Sequence, residues 1–145
     1  MRLNPVIGTN AMRILVAEDD ESIAKQFQLI IENSGHTVTL TSDGEECVDA
    51  YSQAISELPD TSEDYLAQHP PFDLVQLDSR MPKMDGITAA KLIIKMNRHQ
   101  RIIFVSAYAP STIKRALPDI PGLEVITKPF ELEKLLATIQ LQGRS

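Results

Sequence analysis

Apolar residues along this chain fall into two alternating patterns. Short continuous runs, rich in Ile, Leu and Val, occupy residues 13–17, 37–40, 72–77, 101–105 and 123–126. Runs of that length and composition predict strands, buried on both faces where no polar residue alternates. Between them, apolar positions recur at spacings of three and four. Ile23, Phe27, Ile30 and Ile31 predict a helix opened by Asp20 or Glu21 and ended by Gly35. Val48, Tyr51, Ile55 and Leu58 predict a second, with Ser42 and Glu45 at the capping-box spacing and Pro59 as its stop. Ile87, Ala90 and Ile94 mark a third over residues 86–96, with those three inward. A short helix is expected over about residues 111–117, and Leu132, Leu135, Leu136 and Ile139 form the apolar side of a last one over 131–141.

Strand and helix thus alternate five times, which predicts an α/β fold with a parallel sheet covered on both faces. Right-handed crossovers leave few topologies for such a pattern. Residues 59–71 interrupt it with Asp60, Glu63, Asp64 and His69-Pro70-Pro71. They read as a surface insertion with one short helical turn over 63–68. Residues 1–12 read as a flexible lead and 13–145 as one domain.

Four of the runs stop on chemistry. Ile14 to Ala17 leads into Glu18-Asp19-Asp20, Leu74 to Leu77 into Asp78, Ile102 to Val105 into Ser106-Ala107, and Leu123 to Ile126 into Thr127-Lys128-Pro129. In a parallel sheet these clusters share the carboxyl edge, where open α/β sheets bind ligands. Acids, a hydroxyl and a lysine suit a divalent metal and a phosphoryl group. Acids at a helix start also complement its dipole. Asp20 alone meets that need and leaves Glu18 and Asp19 unexplained. A lone strand-end serine is most often a turn former, and a lone lysine a solvated one.

The loop Asp78-Ser79-Arg80-Met81-Pro82-Lys83-Met84-Asp85-Gly86 is far more specific. It resembles the phosphoacceptor signature of response-regulator receiver domains, an Asp, two variable residues, then Met-Pro-x-Met-Asp-Gly. Glu18-Asp19 stands where that family has its acidic pair, Ser106-Ala107 where it has a hydroxyl and a small residue, and Lys128-Pro129-Phe130 where it has lysine, proline and an aromatic. The resemblance covers the chain from Arg13 onward.

The resemblance implies a flavodoxin-like doubly wound sheet of order 2-1-3-4-5. It implies that Asp78 accepts a phosphoryl group from a histidine kinase or phosphotransfer protein. Mg²⁺ would be held by Glu18, Asp19, Asp78 and the main-chain carbonyl of Arg80. Lys128 would supply a second positive charge, Ser106 a hydroxyl for a phosphoryl oxygen, and Ala107 room for the phosphorus. The Lys128–Pro129 bond would be cis, and Arg80 and Tyr108 would tune the lifetime of the phosphate. The implied function is a stand-alone response regulator of a phosphorelay that changes its binding to a downstream protein, a signalling switch before it is an enzyme. Three departures stand against the pattern: Glu18 for the more usual Asp, Val125 where an aromatic is usual, and a short helix flanked by Pro118 and Pro121. They give weight to an alternative, a receiver fold that binds partners without phosphorylation.

Composition narrows the rivals. A chain of 145 residues with 43% hydrophobic and 23% charged residues has a globular composition. Twenty acids against fourteen bases give a net charge of -6, which argues against a nucleic-acid footprint. No apolar run approaches the roughly 18 residues of a membrane span. Residues 1–11 lack the apolar core of a secretory signal, and Cys47 is the single cysteine, so a reducing, cytoplasmic setting is expected. A phosphatase of the haloacid dehalogenase type needs a second Asp two residues after the first, and Arg80 stands there instead. Glycine-rich nucleotide loops are absent.

Overall fold

A computed structural model describes residues 11–120 and 122–142. The first ten residues of the expected lead, the expected helix-flanking Pro121 and the tail after Gln142 lie outside them. The strands are β1 (Arg13–Ala17), β2 (Thr37–Thr41), β3 (Leu74–Leu77), β4 (Ile102–Ser106) and β5 (Glu124–Thr127). The helices are α1 (Glu21–Asn33), α2 (Gly44–Ser56), α3 (Glu63–Gln68), α4 (Gly86–Met96), α5 (Pro110–Ala116) and α6 (Leu132–Gln142). All strand pairs are parallel, and the sheet order is β2-β1-β3-β4-β5. The flavodoxin-like order expected from the resemblance is therefore observed.

Successive strand residues face opposite layers, because side chains alternate along a strand. Leu15, Val75, Leu77, Ile102 and Phe104 pack with Cys47 and Tyr51 of α2, Ala90 and Ile93 of α4 and Ile113 of α5. Ile14, Val16, Leu74, Ile103 and Val105 pack on the other side with Phe27 and Ile31 of α1 and Leu135 and Ile139 of α6. A strand buried on both faces has to be apolar throughout, which is why β1, β3 and β4 read as continuous runs.

Several boundaries differ from the sequence reading, each for a local reason. Helix α2 is capped by Asp43, not Ser42, whose carboxylate accepts from the Glu46 N–H at 2.8 Å. Glu46 accepts from the Ser42 N–H at 2.7 Å, one residue before the cap, so Asp43 and Glu46 hold the helix start in place of the predicted Ser42 and Glu45. The helix also ends at Ser56, before Pro59 acts. β3 starts at Leu74, because Asp73 uses its carboxylate to hold the Arg13 N–H (2.8 Å). The buried residues of α4 are Gly86, Ala89, Ala90 and Ile93, with Ile87 and Ile94 at the edge of the packed stripe. Small Ala89 and Ala90 let the helix lie close to the sheet. Leu132 is exposed, leaving Leu135 and Ile139 as the buried contacts of α6. Met12, expected in the lead, is buried and bonded. Its N–H donates to His36 Nδ1 (3.0 Å), and its carbonyl accepts from the Thr37 N–H (2.9 Å).

The interruption at 59–71 contains α3, capped by the Ser62 hydroxyl, with Leu66 buried. Glu63 reaches Arg98 and His99 Nε2, each at 3.2 Å, beyond the carboxyl end of α4. The segment therefore leads into the amino ends of the strands, at the edge opposite Asp78.

Candidate functional site

At the carboxyl edge, β1 ends on Glu18 and Asp19, β3 on Asp78, and β5 on Lys128. The Lys128 ammonium lies between two carboxylates, 2.9 Å from Glu18 Oε1 and 3.2 Å from Asp78 Oδ2. Backbone bonds fix these positions. Asp78 N–H donates to the Ala17 carbonyl (3.2 Å), Glu18 N–H to Thr41 (3.1 Å), and Lys128 N–H to Ser106 (2.7 Å). The Lys128–Pro129 peptide is cis. Each functional side chain is thus anchored by the sheet, not by a free loop.

The 78–86 loop folds back on its own start. Gly86 N–H donates to the Ser79 carbonyl (3.0 Å), and Asp85 caps α4 by accepting from the Thr88 N–H at 2.8 Å. A Cβ on Gly86 would collide with the Asp78 carbonyl, and one on Gly44 with the Met84 carbonyl. Backbones approach so closely that only glycine fits, which gives the Asp-Gly end of the signature a physical reason. Lys83 occupies the left-handed region at φ 67°, completing the turn.

Charge is concentrated here. Ligand oxygens of Glu18, Asp19 and Asp78 lie within 4.8 Å of one another. Three carboxylates and one ammonium leave two negative charges, the complement of one divalent cation. The donor set is hard oxygen, which fits Mg²⁺. Glu18 is the most committed of the three. It is 3% exposed, with one oxygen on Lys128 and the other accepting from the Asp20 N–H at 3.2 Å. Asp19 is exposed and free to face a cation. Asp20 does what a helix cap should, accepting from Ser22 and Ile23 N–H at 2.9 and 3.1 Å.

Burial raises the Glu18 carboxyl above the ordinary range, against the Lys128 hydrogen bond that lowers it. Burial pulls the Lys128 ammonium down, but the hydrogen bond it donates to Glu18 and the charge of Asp78 outweigh it, leaving lysine above its ordinary value. The ammonium is therefore firmly charged.

A cleft of about 470 Å³ opens beside these groups, lined by Asp19, Ser79, Arg80, Met81, Asp85, Ile87 and Tyr108. The Arg80 guanidinium lies 5.9 Å from the Tyr108 ring centroid, a cation–π contact across the cleft. Ala107 is exposed between the hydroxyl and Tyr108. Val125, in the position that an aromatic usually holds, packs against the core on the α5 side of the sheet.

Two features went unseen in the sequence. Ser79 is 3% exposed, and its hydroxyl lies 2.5 Å from that of Ser106, which is fully buried. The Ser106 oxygen also accepts from the Tyr108 N–H at 3.0 Å. Continuing the β3–β4 register two steps past Leu77↔Phe104 sets Ser79 opposite Ser106, a signal available only once the pairing is known. The Glu18–Lys128 contact likewise joins residues 110 positions apart.

A doubly wound sheet with acids, a hydroxyl and a lysine at its carboxyl edge defines a class, that of flavodoxin-like α/β domains with a polar site at the ends of their strands. A sequence model of the response regulator receiver domain matches residues 14–140, and the chain belongs to that family. It is 32% identical over 127 residues to the chemotaxis protein CheY of Treponema pallidum, covering 88% of this chain and 79% of that one. It is 33% identical over 133 residues to the transcriptional regulatory protein DltR of Streptococcus agalactiae, covering 92% of this chain and spanning only 52% of the relative's length. Among solved structures, the CheX–CheY–BeF3–Mg complex of Borrelia burgdorferi contains a similar chain, with 29% identity, a TM-score of 0.73 and coverage of 97% and 94%. A CheY-like receiver domain from Methanospirillum hungatei, 21% identical, shares the fold at a TM-score of 0.74, with coverage of 93% and 95%. Receiver domains are signalling switches of two-component systems. Among the described residues no helix is long and apolar enough to cross a membrane.

Proposed function

We propose that this chain is a response regulator that takes a phosphoryl group from a histidine kinase or phosphotransfer protein onto Asp78, with Mg²⁺, and thereby changes its affinity for a downstream protein. The observation that carries this reading is the Lys128 ammonium bridging Glu18 and Asp78, with Asp19 alongside. A carboxylate so placed can act as a nucleophile. One Asp78 oxygen attacks phosphorus, an O–P bond forms as the N–P bond of phosphohistidine breaks, and the electron pair leaves on the imidazole nitrogen.

Negative charge on the transferred oxygens must be met by fixed positive groups, since positioning and electrostatics carry most of the catalysis of phosphoryl transfer. Lys128 is one, held where it need not reorganise. Glu18, Asp19, Asp78 and the Arg80 carbonyl would hold Mg²⁺, which would supply the other as a Lewis acid. Ser106 donates to a phosphoryl oxygen, and Ala107 leaves its approach clear. Arg80 and Tyr108 flank the cleft and screen the acyl phosphate from water. The domain works as a switch in the cytoplasm, consuming its own phosphorylated state slowly, without turnover of a separate substrate.

Incubation with acetyl phosphate and Mg²⁺ followed by intact mass spectrometry tests the assignment. The expected result is one added phosphoryl group on the wild type and none on Asp78→Asn, which retains its circular dichroism. Labelling of that variant would sink the site. The same labelled protein gives the phosphate lifetime, which Arg80→Ala and Tyr108→Ala are expected to shorten; an unchanged half-life in both would remove them from the mechanism.

A further inference from the structure

Ser106 is engaged before any phosphate arrives. Its hydroxyl has one proton to give, and its oxygen already accepts from the Tyr108 N–H at 3.0 Å. The remaining contact, 2.5 Å from Ser79 Oγ, is buried and lies away from the solvent that could compete for it. Two arrangements satisfy the pair. If Ser106 donates to Ser79, its proton is used up. If Ser79 donates to Ser106, the Ser106 oxygen accepts twice and its proton is free.

We propose that Ser79 is the resting partner of the Ser106 hydroxyl, a positioning residue that sets how readily that hydroxyl is released to a phosphoryl oxygen on Asp78. The inference rests on the reading of Asp78 as phosphoacceptor. Nothing in the signature loop assigns a task to this position, one of its two variable residues. The burial argues for one. Arg80 next to it and the Met81-to-Asp85 turn are more exposed, whereas Ser79, though it borders the same cleft, is 3% exposed and turns its hydroxyl to a single side-chain partner among the described residues. A buried hydroxyl without that partner would forfeit its hydrogen bond, so the pair is a real term in the resting state.

A second contact spans the same two loops. Arg80 follows Ser79, Tyr108 follows Ser106 by two, and guanidinium and ring meet at 5.9 Å. Tyr108 also supplies the N–H that holds the Ser106 oxygen. The segment after Asp78 and the segment after β4 are therefore joined at two successive points. In the arrangement in which Ser106 donates, a phosphoryl oxygen must win its proton from Ser79, and the β4–α5 segment is free to follow only after it does. A ligand shifts such an equilibrium only by its differential contacts in the two states, and Ser79 sets the reference state against which the phosphate contact counts. A hydroxyl there thus favours the unphosphorylated form.

Isothermal titration calorimetry with beryllofluoride and Mg²⁺, a phosphoryl mimic, tests this on the full chain. Ser79→Ala is expected to bind the mimic about fivefold more tightly, the size of one neutral hydrogen bond no longer competed for. Ser106→Ala is expected to bind it more weakly, and Ser79→Ala/Ser106→Ala to match Ser106→Ala, because the gain exists only through the Ser106 hydroxyl. Affinity for Mg²⁺ alone should not move in Ser79→Ala, whereas a general loosening of the site would change it. An unchanged mimic affinity in Ser79→Ala, or an equal effect with Ser106 absent, overturns the role of Ser79. Failure of the wild type itself to bind the mimic overturns the Asp78 reading and this inference with it.

Discussion

Lys128 holds apart two carboxylates that would otherwise repel each other, and it does so from a position only 18% exposed at its side chain. Replacing it by Met keeps the length and removes the charge. Glu18 would then be a buried carboxylate without its cation, which costs more than the pair itself contributes. Lys128→Met is expected to lose about 2 kcal/mol near neutral pH, less than a fully buried pair because Asp78 keeps some solvent. The sign of the pH dependence follows from Glu18, whose pKa burial already raises. As pH falls through that raised value the carboxyl takes up a proton and the penalty fades, so urea midpoints of variant and wild type should converge on acidification. Lysine acts at the other end. Its folded pKa lies above the ordinary 10.5, so its contribution is complete below that value and is lost as pH climbs through the folded one. The acids, the hydroxyl and the lysine were each legible as residue types at strand ends. Their pairings were not, because Glu18–Lys128 and Ser79–Ser106 are made by register and closure between distant segments.

Strand and helix identity survived the passage from sequence to structure, and the errors sit at ends. Residue preference marks an end only to within a residue, since Ser42 and Asp43 are both good caps and geometry chooses between them. The α4 stripe was misplaced because Ala89 reads as neutral in a pattern search, yet its size is what close packing requires. One element end makes a testable prediction. His36, between α1 and β2, is 6% exposed, and its Nδ1 accepts the Met12 N–H. Burial lowers its pKa below the ordinary 6.5, against the charge of Asp73 that raises it. Protonation would point a donor at a donor. The unfolded state therefore binds more protons in this window, and stability should fall as pH drops below 6.5 toward the lowered folded value. His36→Leu is expected to lose about 1 kcal/mol at neutral pH from the missing acceptor. Its stability should then decline less than the wild type's on acidification. Parallel slopes in chemical denaturation at both pH values would remove His36 as the cause.

For the whole molecule, the carboxyl edge is the place where its acidity is costly and a cation repays it. Without metal, Asp19 adds a third carboxylate beside Glu18 and Asp78, so Asp19→Asn should leave the metal-free protein at least as stable as the wild type. With Mg²⁺ at ten times its dissociation constant the wild type should gain about 1.4 kcal/mol, seen as a rise in melting temperature that the variant lacks. Equal gains in both would exclude Asp19 as a ligand. The segment at 59–71 enters at the opposite edge, tied to Arg98 and His99 through Glu63, so its shortening should leave this magnesium response intact.

The 110-residue span between Glu18 and Lys128 also orders events in time. A chain emerging from the ribosome exposes its first acids early, while the ammonium that must sit among them follows 110 residues after Glu18. The buried Glu18 carboxylate would thus lack its cation until that span of chain has been made.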